Sequence, residues 1–180
     1  MIKRKGKMVL LLVFAIVLIL VVMNFTTGVR VPTFDAFRVE RFCIYKGDSK
    51  GENLEVKKCV KIEGGKATED KIDLVVEELQ KDFLDIKLKV VGYDNVSGKK
   101  ILILDLEDKD VSVDNYLDAG STGSRINLGI LVNSLLQNGK RVSNWIDGVK
   151  ILVNGEEGIE TSHVSLEEIF YREKDKIYLQ

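Results

Sequence analysis

The hydrophobic positions divide the chain into an apolar N-terminal segment and a longer part with alternating patterns. Residues 8–29 contain no charged residue, and residues 8–23 are all apolar. A helix over these residues would measure roughly 33 Å, enough to cross a hydrocarbon core of about 30 Å. The pattern predicts a transmembrane signal-anchor over 8–29. A cleaved signal peptide is the alternative, although the apolar region of a signal peptide is usually shorter.

The residues around this segment predict its orientation and the domain boundaries. Four basic residues lie within residues 1–7, so this N-terminus is expected to stay in the cytoplasm and the rest to lie outside the membrane. Pro32 lies in a short stretch that predicts a linker over 30–36. One extracytoplasmic domain is then expected over 37–172, followed by a C-terminal tail over 173–180. The predicted localisation is the cell membrane, with a single pass.

Two strand-like runs, residues 37–45 and 54–62, predict an antiparallel hairpin around a turn-rich stretch. If Cys43 lies opposite Cys59, Phe42 lies opposite Val60 and Lys46 lies opposite Val56. That register places on one face the apolar side chains, namely Phe42, Ile44, Val56, Val60 and Ile62. A disulfide between the two cysteines is therefore predicted, since an oxidising compartment permits it. Two free thiols are the alternative.

The next elements are predicted from helical and strand-like spacing. A helix is expected to begin with Thr68 as its N-cap and to run to about residue 82. Its apolar positions recur at helical spacing: Ile72, Val75, Val76, Leu79 and Phe83. Residues 86–91 and 100–106 then read as strands around a loop over 92–98, and a polar loop follows over 107–119.

A second helix and a last strand complete the pattern. Ser121 or Thr122 is expected to cap the helix, and Asn138 with Gly139 is expected to end it. Its apolar stripe consists of Leu128, Leu131, Val132, Leu135 and Leu136. A strand over 149–153 is closed by a turn at residues 154–155. The order β-β-α-β-β-α-β predicts an α+β fold, in which one small mixed or antiparallel sheet carries both helices on one face.

Charge and composition narrow the functional classes. The chain has 27 Lys and Arg against 28 Asp and Glu, and without the four N-terminal positive charges the ratio is 23 to 28. This mildly acidic, mixed surface argues against nucleic-acid binding, which requires a basic face. The pattern also contains no cofactor-binding motif, so no cofactor is expected.

Catalytic and metal-binding motifs are weak. His163 is the only histidine, and no Cys-x-x-Cys or His-x-x-x-His spacing suggests a metal site. The small residues at the second helix start could expose N–H groups to an anion, but the lysine of a phosphate-binding loop is missing. We therefore predict a non-enzymatic protein with no catalytic, cofactor or metal residue. The candidate interface or polar site consists of Gly120, Ser121, Thr122, Gly123, Ser124 and His163.

Four segments together resemble the GerMN domain of spore germination and sporulation proteins. They are the Gly-Ser-rich helix start at residues 120–125, the helix core at 131–135, the strand and turn at 149–155, and the closing segment at 163–166. The resemblance is clearest over residues 100–172. It implies a small α/β domain similar to ring-building modules, found in secretion-system rings and in the channel between mother cell and forespore. It supplies no catalytic residue.

The expected function is a membrane-anchored, extracytoplasmic assembly protein of sporulation or germination. Such a protein would self-associate as a homo-oligomer or dock on a ring- or channel-like envelope complex. A tether to a membrane raises the local concentration of copies and partners. A cell-wall or small-ligand binding module is the alternative, and an envelope hydrolase is a further one.

Overall fold

The computed structural model describes residues 39–107, 112–137 and 145–172, which form an α+β arrangement. The elements are, in chain order, β1 Val39–Gly47, β2 Leu54–Glu63, α1 Thr68–Gln80, β3 Lys87–Val96, β4 Lys99–Glu107, α2 Ser112–Leu117, α3 Gly120–Leu136, β5 Gly148–Val153 and β6 Phe170–Tyr171. The predicted anchor, its flanks and the C-terminal tail lie outside the described residues. None of the helices in these described ranges has the length and the apolar composition of a membrane span.

The strands form two sheets, where the sequence predicted one. β1 pairs only with β2, and the second sheet has the order β3-β4-β5-β6. In the second sheet β4 and β5 are parallel and the other pairs are antiparallel, so this sheet is mixed as predicted. The element order also gains α2, within the segment predicted as a polar loop, and β6, after the predicted last strand.

The β1–β2 hairpin follows the predicted register around the cysteines. Cys43 lies opposite Cys59, and a disulfide joins them. The register shifts after Ile44, so Lys46 pairs with Glu55 and the predicted pairing of Lys46 with Val56 is wrong. The shift is a β-bulge, which adds one residue to one strand and reverses the alternation beyond it. Val56 is consequently 49% exposed instead of lying on the buried face.

The outer edge of β1 is hydrogen-bonded to the side chains of Ser134 on α3 and of Gln137, which directly follows α3, instead of to a strand. The Cys43 N–H donates to Oε1 of Gln137 at 2.8 Å, and Nε2 of Gln137 donates to the Cys43 carbonyl at 3.0 Å. The Tyr45 N–H donates to Oγ of Ser134 at 3.0 Å. Because these groups occupy the edge, the hairpin does not join the larger sheet.

β3 and β4 are longer than predicted, and they meet in a two-residue turn. Most of the predicted loop over 92–98 is strand, and the turn consists of Ser97 (φ 54°) and Gly98 (φ 79°). A bulge at Val91 interrupts the pairing between Val90 and Gly92. The bulge breaks the period-2 alternation, which is the pattern used to predict a strand.

Both long helices bury the faces that the sequence predicts, although their ends differ. All ten apolar positions named above for the two helical patterns are buried. The N-caps are Ala67 and Ala119, not Thr68 and either Ser121 or Thr122, so those hydroxyl residues lie in the first turns. α1 ends at Gln80, and α3 ends at Leu136 with Gln137 in the left-handed conformation (φ 52°). The predicted end at residues 138–139 lies outside the described residues.

The core lies between the helices, the hairpin and one face of the larger sheet. The core side chains of β4 are Leu102, Leu104 and Leu106, which alternate along the strand and so share a face. α1 contacts β3, α3 contacts β5, and α3 also contacts β1. The α+β class is therefore confirmed, and the hairpin packs on α3 as an additional layer.

Glu78 on α1 supports a prediction about acid stability. Lys58 of β2 and Lys81 both donate to its carboxylate, the second at 2.6 Å, and together they lower the pKa of Glu78 from 4.5 to about 2. Since the folded pKa is depressed, these ion pairs stabilise the fold above pH 4.5, and this contribution is lost as the pH falls toward 2.

We therefore expect Glu78→Gln to lower the melting temperature at pH 7, with the difference from the parent chain vanishing near pH 2. Thermal unfolding of the full-length chain across this pH range measures the effect. Glu77→Gln is the control. Glu77 is exposed, and no basic group among the described residues lies within 4.0 Å of its carboxylate. An unchanged difference between pH 7 and pH 2 for Glu78→Gln would contradict the assignment.

Candidate binding cleft

A cleft of about 530 Å³ lies between the second turn of α3 and the segment that follows β5. Its apolar lining consists of Leu128, Val164 and Phe170, and its polar lining consists of Arg125, Glu160, Thr161, Ser162, His163 and Ser165. Leu128 is buried, whereas Arg125, Glu160 and His163 are exposed. The cleft therefore has an apolar floor and a charged, hydrated rim, which is common for small-molecule sites of this size.

Backbone pairing positions the loop that forms one wall. Asn154 (φ 51°) and Gly155 (φ 81°) form the predicted turn after β5, with Val153 bridged to Glu156. Two positive φ values are the requirement of a type I′ turn, which Asn-Gly fulfils at low cost. Farther along, the Leu166 N–H donates to the Ile159 carbonyl at 2.9 Å, and Leu166 is buried in the core. The segment from 159 to 166 is thus anchored at its base.

Thr161 holds the tip of this loop. Its hydroxyl oxygen accepts the backbone N–H groups of Val164 at 3.1 Å and His163 at 3.3 Å. The same hydroxyl lies 3.4 Å from the Leu117 carbonyl at the end of α2. These contacts connect the loop to α2 and place the His163 side chain at the rim.

Asp118 lies at the centre of the polar contacts around His163. The Ser162 hydroxyl donates to Oδ1 of Asp118, and Nε2 of His163 lies 3.7 Å from the same oxygen. In a nucleophilic triad the serine hydroxyl donates to the histidine, which then accepts its proton. Here the serine hydroxyl donates to the carboxylate instead, so the arrangement differs from a triad and orients the loop.

His163 lines the cleft together with Arg125 of α3, and not together with the predicted residues at the start of that helix. Gly120, Ser121, Thr122, Gly123 and Ser124 are absent from the cleft lining. Ser124 is fully buried, and its Oγ has no hydrogen-bond partner among the described residues. A Cβ at Gly123 would lie 3.0 Å from the Ala119 Cβ, so this position favours glycine for packing.

The sequence prediction missed Arg125, Glu160 and Phe170 as lining residues. Arg125 directly follows the Gly-Ser segment, so its place in the chain was a usable signal. Glu160 and Phe170 lie at least 35 positions beyond Arg125. No sequence pattern at that separation indicates a contact with α3. Only the return of the chain from β5 to α3 brings these residues together.

The charged groups of the cleft differ in their partners. Asp118 contacts both Ser162 and His163, whereas neither Arg125 nor Glu160 forms an ion pair with a residue that the structure describes. The described residues contain no group of three His, Cys, Asp or Glu side chains that could hold a metal ion. The cleft thus presents one cation and one anion that lack an ion-pair partner in the described part of the chain.

Comparison with known proteins adds little to this description. No known family matches the chain, and no curated protein matches it. A crystal structure of a candidate lipoprotein from Clostridium perfringens is similar over 78% of this chain and 93% of its own, with 14% identity and a TM-score of 0.39. That TM-score is too low to indicate a shared fold. The GerMN resemblance of the four segments therefore stays a prediction.

Proposed function

We propose that this chain is a membrane-anchored, extracytoplasmic protein that works by binding other molecules and not by catalysis. In this proposal the domain self-associates or docks on a ring- or channel-like envelope complex. Its place in sporulation or germination is supported by the GerMN resemblance alone. The anchor is supported by the uncharged segment over 8–29 and the basic residues before it.

The Cys43–Cys59 disulfide is the observation that carries the extracytoplasmic part of the proposal. Disulfides persist in oxidising compartments and are rare in the cytosol, where thiols are kept reduced. Cys43 is buried but Cys59 is exposed, so soluble reductants would reach this bond in the cytosol. A bond of this kind is therefore consistent with export across the membrane.

Thiol labelling in intact cells tests the location. Cys43 and Cys59 are the only two cysteines in the sequence. The mass added by alkylation therefore reports whether the disulfide between them is formed. We expect the full-length chain to be almost entirely unlabelled without reductant. A variant that lacks residues 8–29 is expected to stay in the cytosol and to carry at least ten times more label. A full-length chain with free thiols would contradict the proposed compartment.

The edges of β2 and β3 offer contacts with other copies or partners. Among the described strands, β2 and β3 each pair on one side only. Each carries a bulge and lysines, features that prevent indiscriminate strand addition at an edge. Each also exposes a valine, Val56 at 49% and Val91 at 51%. Contacts at these edges would therefore be made by side chains around the valines.

Site-specific photo-cross-linking in cells tests assembly. A cross-linking residue at Val56 or Val91 is expected to yield a copy–copy adduct or a single identified partner. The control carries the same residue at Lys50, an exposed position in the β1–β2 turn. Adducts equal to the control at both valines, together with a strictly monomeric chain on membranes, would contradict the assembly function.

The cleft favours a second candidate function, the binding of a small ligand or a cell-wall fragment. Its volume, apolar floor and two opposite charges are the supporting observation. This candidate is compatible with assembly, because the cleft and the exposed valines consist of different residues.

A further inference from the structure

We propose that the cleft binds a small zwitterion, with the ligand carboxylate on Arg125 and the ligand ammonium on Glu160. The inference rests on the ligand-binding candidate and specifies its ligand class. It is independent of assembly through the strand edges.

Opposite charges on the two walls are the first argument. Arg125 comes from α3 and Glu160 from the loop after β5, and both line the cleft. Neither is paired with the other or with another described residue. A purely anionic ligand would meet repulsion from Glu160, and a purely cationic one would meet repulsion from Arg125. A ligand with both charges contacts each wall favourably.

The remaining lining excludes a strong preference for phosphate. Arg125 is the only permanent cation among the lining residues, and His163 lies 3.7 Å from Asp118. This carboxylate offsets positive charge at that end of the cleft. A phosphate dianion would then face one uncompensated cation and the Glu160 carboxylate. A single carboxylate also forms two parallel hydrogen bonds with the planar guanidinium of Arg125, and it brings one negative charge fewer toward Glu160.

The floor and the rim of the cleft determine the size and the polarity of the ligand between its two charged groups. Leu128, Val164 and Phe170 provide apolar contact between the two charged walls, and Ser162 and Ser165 provide hydroxyl groups beside them. A cleft of about 530 Å³ accommodates a short peptide or an amino acid with a substantial side chain. The ligand class is thus a small amino-carboxylate with an apolar body.

Titration calorimetry with the full-length chain in detergent micelles tests the inference. The probes are the dipeptide Ala-Ala, its C-terminal amide, its N-acetyl derivative and inorganic phosphate. We expect Ala-Ala to bind at least ten times more tightly than the other three. Arg125→Met should make Ala-Ala and its amide equal in affinity, and Glu160→Gln should make Ala-Ala and its N-acetyl derivative equal.

Matched variants outside the cleft separate a local effect from a general one. Arg41→Met and Glu167→Gln change exposed residues that do not line the cleft, so they should leave the affinity unchanged. All four variants replace exposed side chains and should keep the parent melting temperature. Equal binding of all dipeptide forms, or binding of phosphate alone, would overturn the zwitterion assignment. Either result would still show that the cleft binds a ligand. Binding of none of the probes would overturn the zwitterion inference, while the thiol and cross-linking results would still test the location and assembly.

Discussion

Lys71→Met is expected to destabilise the folded chain by about 3–5 kcal/mol, the loss typical of breaking a buried ion pair. Nζ of Lys71 on α1 donates to Oε2 of Glu40 on β1 at 2.8 Å, and the two side chains are only 3% and 2% exposed. The substitution leaves the Glu40 carboxylate buried beside an apolar side chain. Its charge would lack this partner and also lack hydration, which is the origin of the cost.

Urea unfolding of the full-length chain, followed by circular dichroism, measures this loss. The double variant Lys71→Met with Glu40→Gln should recover at least half of it, because it removes the buried negative charge that Lys71 no longer neutralises. Lys46→Met is the matched control, since Lys46 pairs with Glu55 at 2.9 Å but both side chains are about half exposed. Exposed pairs contribute little because water and salt screen them. Equal losses for Lys71→Met and Lys46→Met would contradict the assignment.

The sequence predicts the inward direction of Glu40 but not the identity of its partner. The register that directs Phe42 and Ile44 inward also directs Glu40 inward, since the three residues share one strand face. Nothing local identifies Lys71 as its partner. Lys71 lies next to the apolar stripe of α1, where a helical pattern predicts a solvated lysine. It is separated from Glu40 by 31 positions, so no local pattern connects the two residues.

The same distinction between local and distant signals explains the other outcomes. Ile72 and Leu79 on α1, like Leu128 and Leu135 on α3, were predictable because the helical period is a local property. The bulge at Val91 was missed because it interrupts the alternation on which strand prediction rests, and the Ala119 cap was missed because alanine is a poor N-cap residue. For the cleft, the sequence indicated His163 and the neighbourhood of Arg125, but not Glu160, which reaches the cleft only through the return of the chain from β5.

The separation into two sheets has a similar distant cause, and it leads to the second large expected effect. Gln137→Leu should destabilise the fold by about 2–5 kcal/mol, because it leaves the buried N–H and carbonyl of Cys43 without these partners. The Gln137 carboxamide is fully buried and pairs with Cys43 as the peptide group of a neighbouring strand would. No periodicity in the sequence predicts a side chain in that role.

Amide hydrogen exchange distinguishes this contact from a general loss of packing. The Cys43 N–H points to Gln137, whereas the Phe42 N–H points to the opposite side of β1, toward β2, because successive groups alternate along a strand. Gln137→Leu should therefore accelerate exchange at Cys43 far more than at Phe42. Gln137→Gly removes the same carboxamide and relieves the left-handed backbone (φ 52°), but it also leaves a cavity that leucine would fill. Faster exchange at Cys43 in both variants would therefore identify the lost carboxamide as the cause. An equal acceleration at Cys43 and Phe42 would show that α3 does not hold β1 through this side chain.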